Sequence, residues 1–426
     1  MPFRRKSRLN YLGKSIKRVD APDKVTGRTR YTTDMEVPGM VHAYPVFSSI
    51  PFGRITKVDL GRAERADGFL AAVLAADIPG ENQVGVIVED QPLLAGETVR
   101  YIGDTIGLVV AETAAAAQAM AGLVQVKYEE YEPVLSINDS RADGGRRLHD
   151  SNLACTHQSL RGDLETGFAR AAVVVEATFI TPFQEHLYLE PQGCVAIPQP
   201  EGGVIIHGSL QCPYYVQRAV ATALGLPMDR VRVAVAPIGG AFGGKEDVPS
   251  EICARAAVAA TLLGRPVKMV YTRRDDVQLT SKRHPFKMHY RIGVSREGRL
   301  LAADVQLESN AGAYATLSPV VSYRATMQAL GPYRVDNVRV VSRAYYTNLP
   351  PTGAFRGFGS PQAAFGHERI MDRIAAELGL DPIELRLRNI LQPGDTTFTG
   401  QRLDSCAGAE QTLTKARAAA DWPQPG

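Results

Sequence analysis

Residues 231–247, VRVAVAPIGGAFGGKED, leave this chain few options. Val231, Val233 and Val235 alternate with Arg232, Ala234 and Ala236, the period of a strand with one buried face. Pro237 cannot donate to a ladder, and Gly239, Gly240, Gly243 and Gly244 permit a sharp turn and a close backbone approach. The run PSEICARAAVAATLLG behind them reads as a helix with Ser250 as its N-cap. A strand, a glycine-rich turn and a helix in that order aim backbone N–H groups at a point where an anionic or strongly polar ligand can sit.

Gly239 to Lys245 fills the first seven positions of the phosphate-binding pattern GxxxxGK[ST], but Glu246 occupies the eighth. A carboxylate there cannot serve magnesium as a hydroxyl does and would crowd phosphate charge, which argues against a nucleotide triphosphatase. A plain glycine turn without a ligand stays open on this motif alone. The strand VRVVSRAYYT, however, leads into a second glycine-rich loop, NLPPTGAFRGFGSPQ, and a helix opening at Ser360 and Pro361, with Ile370, Ile374 and Leu378 along its apolar face. Asp381 caps the next helix, with Pro382 at its first position and Glu384 at its third. Two such loops imply one ligand held from both sides.

The 426 residues suffice for two or three domains with full cores, and a net charge of +3 argues for neither nucleic acid nor an acidic membrane. Cys155, Cys194, Cys212, Cys253 and Cys406 are scattered and form no CxxC pair, so no zinc site, iron–sulfur cluster or disulfide framework is expected; a reducing, cytoplasmic setting follows. Arg4, Arg5, Lys6 and Arg8 stand in a basic tail, residues 1–12, that lacks the apolar run of an export signal. No stretch approaches the roughly 18 apolar residues of a membrane span.

Residues 13–138 read as a small α/β domain, with strands near 40–47, 55–60, 69–75, 102–111 and 124–128 and a helix capped by Thr113. Residues 139–162 read as a polar linker. A second region, 163–426, opens with the alternating strand VVVEATFI; its His186 reads as an interior histidine, since no second histidine stands at metal-ligand spacing. Residues 204–209 form a strand delivering Gln211, followed by a helix with Pro213 at its first position. TRRDD, residues 272–276, reads as a solvated loop, residues 288–307 as a hairpin around SREGR, and Tyr323 and Arg324 as loop residues.

With these segments in view, the chain resembles the large molybdopterin-binding subunit of the xanthine dehydrogenase and aldehyde oxidase family. The resemblance rests on DAPDKVTGRTRYTTD, VRYIGDTIGLVVAET, KYEEYEPV, RGDLETGFARA, QEHLYLEP, GGAFGGKE, GRPVK, RHPF, SNAGAY, TNLPPTGAFRGFGSPQ and LRLRN, in order along nearly the whole chain. It implies an α/β (α+β) chain in which 13–138 is the hammerhead-like domain and 163–426 the first molybdopterin-binding domain.

Residue by residue, the resemblance assigns Gln211 to an oxygen ligand of molybdenum, and Gly240, Phe242 and Gly243 to the loop lying against the metal centre. Phe355 and Arg356 match the second cofactor-facing loop. Glu246 and Arg324 match the pair that binds and polarises a purine, and Phe358 an aromatic packed on a flat heterocycle. A guanidinium near ring nitrogens and oxygens would stabilise the negative charge that hydroxylation puts there, and a carboxyl group can share a ring proton. The other role open to Glu246 and Arg324 is a mutual salt bridge holding the loops together.

The family's second molybdopterin-binding domain, with its glutamate base, has no match before Gly426. The expectation is therefore a part that needs a separate polypeptide supplying that domain, and that is inactive alone. The molybdenum is held by the pterin, with or without its cytosine dinucleotide tail, and not by side chains. The 2Fe-2S centres and FAD are expected on an iron–sulfur subunit and an FAD subunit. The implied function is oxidation of a purine or related N-heterocycle; an aldehyde or aromatic thioester oxidoreductase, or an inactive truncated remnant, are the alternatives.

Overall fold

Strong apolar patterning decides where the sheets lie. The strand Thr105–Ala111 is buried along its whole length, as a central strand covered on both faces requires, whereas Val173–Thr181 alternates and keeps one face toward solvent. The computed structural model describes residues 11–142, 144–404, 408–420 and 422; Arg4, Arg5, Lys6 and Arg8 of the basic tail, and Cys406, lie outside the described residues.

In chain order the strands are β1 (Val41–Phe47), β2 (Gly53–Asp59), β3 (Phe69–Leu74), β4 (Thr98–Val99), β5 (Thr105–Ala111), β6 (Gln125–Glu130), β7 (Leu153–Arg161), β8 (Val173–Thr181), β9 (Gly193–Pro198), β10 (Val204–Gly208), β11 (Val231–Val235), β12 (Val267–Val270), β13 (Phe286–Val294), β14 (Leu300–Gly312) and β15 (Asn337–Tyr346). They form a seven-stranded sheet in the order β11-β10-β9-β12-β1-β5-β3, a five-stranded sheet β7-β15-β14-β13-β8 and a three-stranded sheet β4-β2-β6.

The seven-stranded sheet is continuous across the two regions read from the sequence. β1 lies parallel to β12 with Val41 opposite Val267, and one apolar cluster gathers Val41, Val73 and Leu108 with Ile206, Val220, Ile252 and Met269. The helix Val248–Leu263 is buried over most of its length within that cluster, which anchors the end of the first glycine loop. The five-stranded sheet packs its inner face on the helices Ser318–Gln328 and Ser360–Leu378, through Phe286, Met288 and Val305 against Val321, Ile370 and Ile374.

Four local expectations change. Residues 153–161, expected within an unpacked linker, form β7, paired antiparallel with β15; its small and polar residues hide a strand that the partner ladder supplies. TRRDD is not a solvated loop but the start of the helix Arg273–Leu279, capped by Thr272 and Asp275, with Asp276 fully buried beneath Tyr188. Tyr323 and Arg324 lie on the helix Ser318–Gln328. Ser250 is inside its helix, which starts two residues earlier because Pro249 tolerates the first turn.

The seam between the regions is polar as well as apolar. The Tyr314 hydroxyl donates to both carboxylate oxygens of Asp104 at 2.9 Å, and the Arg100 N–H donates to the same group. Burial still raises Asp104 to about 6. Tyr314→Phe removes the hydroxyl and leaves one carboxylate oxygen without its donor, so the chain should lose about 1–3 kcal/mol of unfolding free energy. Urea unfolding measures this, and an unchanged midpoint would contradict it.

Candidate functional site

β10 and β11 are adjacent and parallel, so both open at the same end of the sheet. That end puts Gln211, just past β10, beside the loop that follows β11. The Gln211 carboxamide oxygen accepts from the N–H of Gly243 at 3.1 Å and of Lys245 at 3.4 Å, and its own backbone N–H donates to the Lys245 carbonyl at 2.7 Å. These contacts fix the amide's orientation and leave Nε2 without a hydrogen bond among the described residues, a donor at the wall of a cleft.

The second loop arrives from the other sheet. After β15 it passes so near the first that a Cβ on Gly243 would lie 2.7 Å from the Ala354 carbonyl oxygen, and Gly243 has φ +103°. Only glycine fits that crossing. The Arg356 N–H then donates to the Phe242 carbonyl at 2.8 Å, locking the loops together. Phe242 and Phe358 both adopt positive φ, 54° and 53°, at a cost of about 1–2 kcal/mol each for a residue with a side chain. Such strain persists only where surrounding contacts enforce it, and it gathers at functional sites.

Between the loops lies a cleft of about 470 Å³ lined by Gln211, Phe242, Gly243, Glu246, Arg324, Ala354, Phe355, Arg356, Gly357 and Phe358. The structure thus brings together all the site residues assigned by the resemblance except Gly240, which turns the chain over Tyr188 with φ +100°. Arg324 reaches the cleft from its helix, its Nε donating to the Ser360 hydroxyl at 3.2 Å. Glu246 and Arg324 form no ion pair with each other, and neither Arg324 nor Arg356 has a carboxylate within ion-pair distance among the described residues. Burial raises the Glu246 carboxyl above its ordinary range.

Lys245, the residue that invites a phosphate-loop reading, points away from the cleft. Its Nζ is fully buried, donating to Glu190 at 3.0 Å and to the Ser209 hydroxyl at 2.8 Å, above the Tyr188 ring. The same Glu190 oxygen accepts from the Gly239 N–H at 2.7 Å. This buried pair ties the first loop to the sheet. His186 is interior, its Nε2–H donating to the Ala354 carbonyl at 2.7 Å.

Sequence reasoning passed over Asp247. Its carboxylate is buried, neither oxygen has a hydrogen-bond partner among the described residues, and a Cβ on Gly353 of the second loop would lie 2.6 Å from its Oδ2 and 3.0 Å from the Ser281 hydroxyl oxygen, which also lacks a partner among the described residues. Only its place beside Glu246 in the chain hinted at this. Burial, with the nearby charges of Glu251 and Glu246, raises it to about 7. A folded value above the unfolded 3.8 means that ionisation opposes folding, so the stabilising contribution is full at acid pH and is lost as pH rises through about 7. Asp247→Asn cannot ionise and should gain stability relative to the parent between about pH 5 and about pH 8. Urea titrations at both pH values test this; a difference independent of pH would contradict it.

Comparison with known proteins adds to this geometry. Residues 26–132 match the aldehyde oxidase and xanthine dehydrogenase a/b hammerhead domain, and residues 148–390 match the molybdopterin cofactor-binding domain. The nicotinate dehydrogenase large molybdopterin subunit of Eubacterium barkeri is 38% identical over 95% of this chain and 95% of its own length. A probable xanthine dehydrogenase subunit of Bacillus subtilis is also 38% identical, over 93% of this chain but 53% of its own. Among solved structures, the aldehyde oxidoreductase of Desulfovibrio gigas superposes with a TM-score of 0.91 at 30% identity, covering 95% of this chain and 46% of that one. Quinoline 2-oxidoreductase of Pseudomonas putida gives 0.87 at 29%, covering 96% and 54%. The chain therefore spans nearly all of the first relative and about half of the other three.

Proposed function

The chain belongs to the xanthine dehydrogenase and aldehyde oxidase family, and from that premise we propose that it is the molybdenum-cofactor-binding part of a hydroxylase acting on a purine or related N-heterocycle. The observation that carries this reading is the cleft itself. Two guanidiniums without carboxylate partners among the described residues, one half-buried carboxyl group, the exposed Phe242 ring and the partly buried Phe358 ring meet between two loops that approach through a glycine.

The residues fit a pterin-bound molybdenum centre. The loop backbone and the Gln211 amide offer N–H donors, Phe242 offers an apolar face, Phe355 lines the cleft from the turn that carries Arg356, and Arg356 offers positive charge to an anionic pterin tail, whether or not it carries a cytosine nucleotide. When bound, that group supplies the two-electron oxidation chemistry. The chain's own part is to hold and polarise the substrate. Phe358 presents a ring to a flat heterocycle. Arg324 stabilises negative charge developing on the ring's heteroatoms, and Glu246, whose carboxyl is raised by burial, shares a ring proton.

A further polypeptide or segment supplying the second molybdopterin-binding domain and the general base completes the catalytic unit, and an iron–sulfur subunit and an FAD subunit carry electrons away. What supports this is the Eubacterium barkeri relative, of nearly the same span and called a large molybdopterin subunit. Aldehydes are the second reading, favoured by the close backbone match to an aldehyde oxidoreductase.

Glu246→Gln and Arg324→Met, each in the assembled complex, separate the two. On the heterocycle reading, kcat/KM for the heterocycle falls by about 10²-fold or more, the scale of removing a charge-stabilising group, while aldehyde oxidation changes by less than about threefold. Equal small effects on both substrates would assign the pair to structure and favour the aldehyde.

A further inference from the structure

The turn 354–356 is held by groups distant in sequence. The Phe355 ring stacks on His186 with centroids 4.3 Å apart and planes 22° apart, and the Arg283 guanidinium carbon lies 3.8 Å from the same centroid. Two flat groups so close to one centroid cannot share a face, so the ring is sandwiched. Arg283 also donates from Nη2 to the Arg356 carbonyl at 3.2 Å and from Nε to the Gln184 side-chain oxygen at 2.9 Å. Its backbone N–H donates to the Gln184 carbonyl at 3.0 Å, which fixes the base of the side chain. Nη1 is buried with no hydrogen-bond partner among the described residues, as a guanidinium laid on an aromatic face leaves it. Among the described residues no carboxylate stands within ion-pair distance of Arg283, so its charge is spent on the ring and the carbonyl.

We infer that Arg283 is a positioning residue which, with His186, clamps Phe355 and so fixes the turn from which Arg356 reaches the cleft. Three successive residues of that turn are each held: the Ala354 carbonyl by His186, the Phe355 ring by the sandwich, and the Arg356 carbonyl by Arg283. The fork matters as well as the charge, because one planar group stacks and reaches two acceptors at once, which an ammonium cannot do. The other jaw requires a neutral imidazole. Its Nε2 carries the proton given to Ala354, its Nδ1 is buried without a hydrogen-bond partner among the described residues, with a Glu185 carboxylate oxygen 3.9 Å away, and burial lowers the ring to about 4 despite that charge. What the turn holds rests on the proposed function; the clamp itself does not.

Amide hydrogen exchange on the chain tests the clamp directly. In Arg283→Met, exchange at residues 353–358 should rise at least tenfold, and in Arg283→Lys severalfold, while β13 and the helix Val248–Leu263 stay as protected as in the parent. In the assembled complex, Arg283→Met should shed molybdenum at least tenfold faster during gel filtration, whereas Arg299→Met, a guanidinium outside the cleft, should not. Unchanged exchange at 353–358, or a rise spread evenly over the chain, overturns the inference. A parent complex without molybdenum would sink the functional reading, while the exchange data would still decide the clamp.

Discussion

Two loops from two different sheets cross where a single side chain would keep them apart. A Cβ at Gly243 would sit 2.7 Å from the Ala354 carbonyl oxygen, closer than carbon and oxygen can pack, and the absence of that atom lets the Phe242 carbonyl take the Arg356 N–H. The other features of the site serve this crossing. Gln211 ties the first loop from the end of β10, and the buried Lys245–Glu190 pair pins the loop's far side to the sheet. The helix Val248–Leu263 anchors the first loop in the main core, and the helix Ser360–Leu378 anchors the second over the other sheet. A continuous seven-stranded sheet joins strands of the hammerhead-like part to strands of the cofactor-binding part and carries the first loop at the end of β11.

Charge is divided by the loops in a way that suits an anionic guest. Lysine and glutamate pair inside, where desolvated charges need partners, whereas Arg324 and Arg356 face the cleft without carboxylates. Guanidiniums gathered in a concave site attract negative charge more strongly than the same groups scattered on an open surface. Asp247, buried one residue behind Glu246, adds little negative charge when protonated, so Glu246 is the carboxyl group that the cleft itself presents.

How much of this could be read from the chain depended on whether local pattern and tertiary demand agreed. The two loops, the strands before them and the helices after them followed from glycine clusters, alternating valines and N-terminal prolines, and the cleft residues named from the resemblance converge, apart from Gly240. The misreadings arose where burial overrode composition. TRRDD is charged yet lies at the start of a helix whose Asp276 is buried by Tyr188, and β7 is polar yet completes a sheet edge because β15 offers it a ladder. Lys245 fits a phosphate loop by spacing and is turned inward by Glu190, 55 residues earlier. Asp247 follows Glu246 and Arg283 opens RHPF, but local pattern did not give their roles, which come from residues far away in sequence: Gly353 for one, Phe355 and His186 for the other.

The central claim is that this cleft holds a molybdenum–pterin group. It is tested most directly by molybdenum and pterin analysis of the native complex purified through this chain, with the co-purifying polypeptides identified by mass. Close to one molybdenum and one pterin per chain is expected, together with a polypeptide or segment carrying the second molybdopterin-binding domain. A chain recovered with neither metal nor pterin from cells replete in molybdate would contradict the account and leave a folded part without its chemistry.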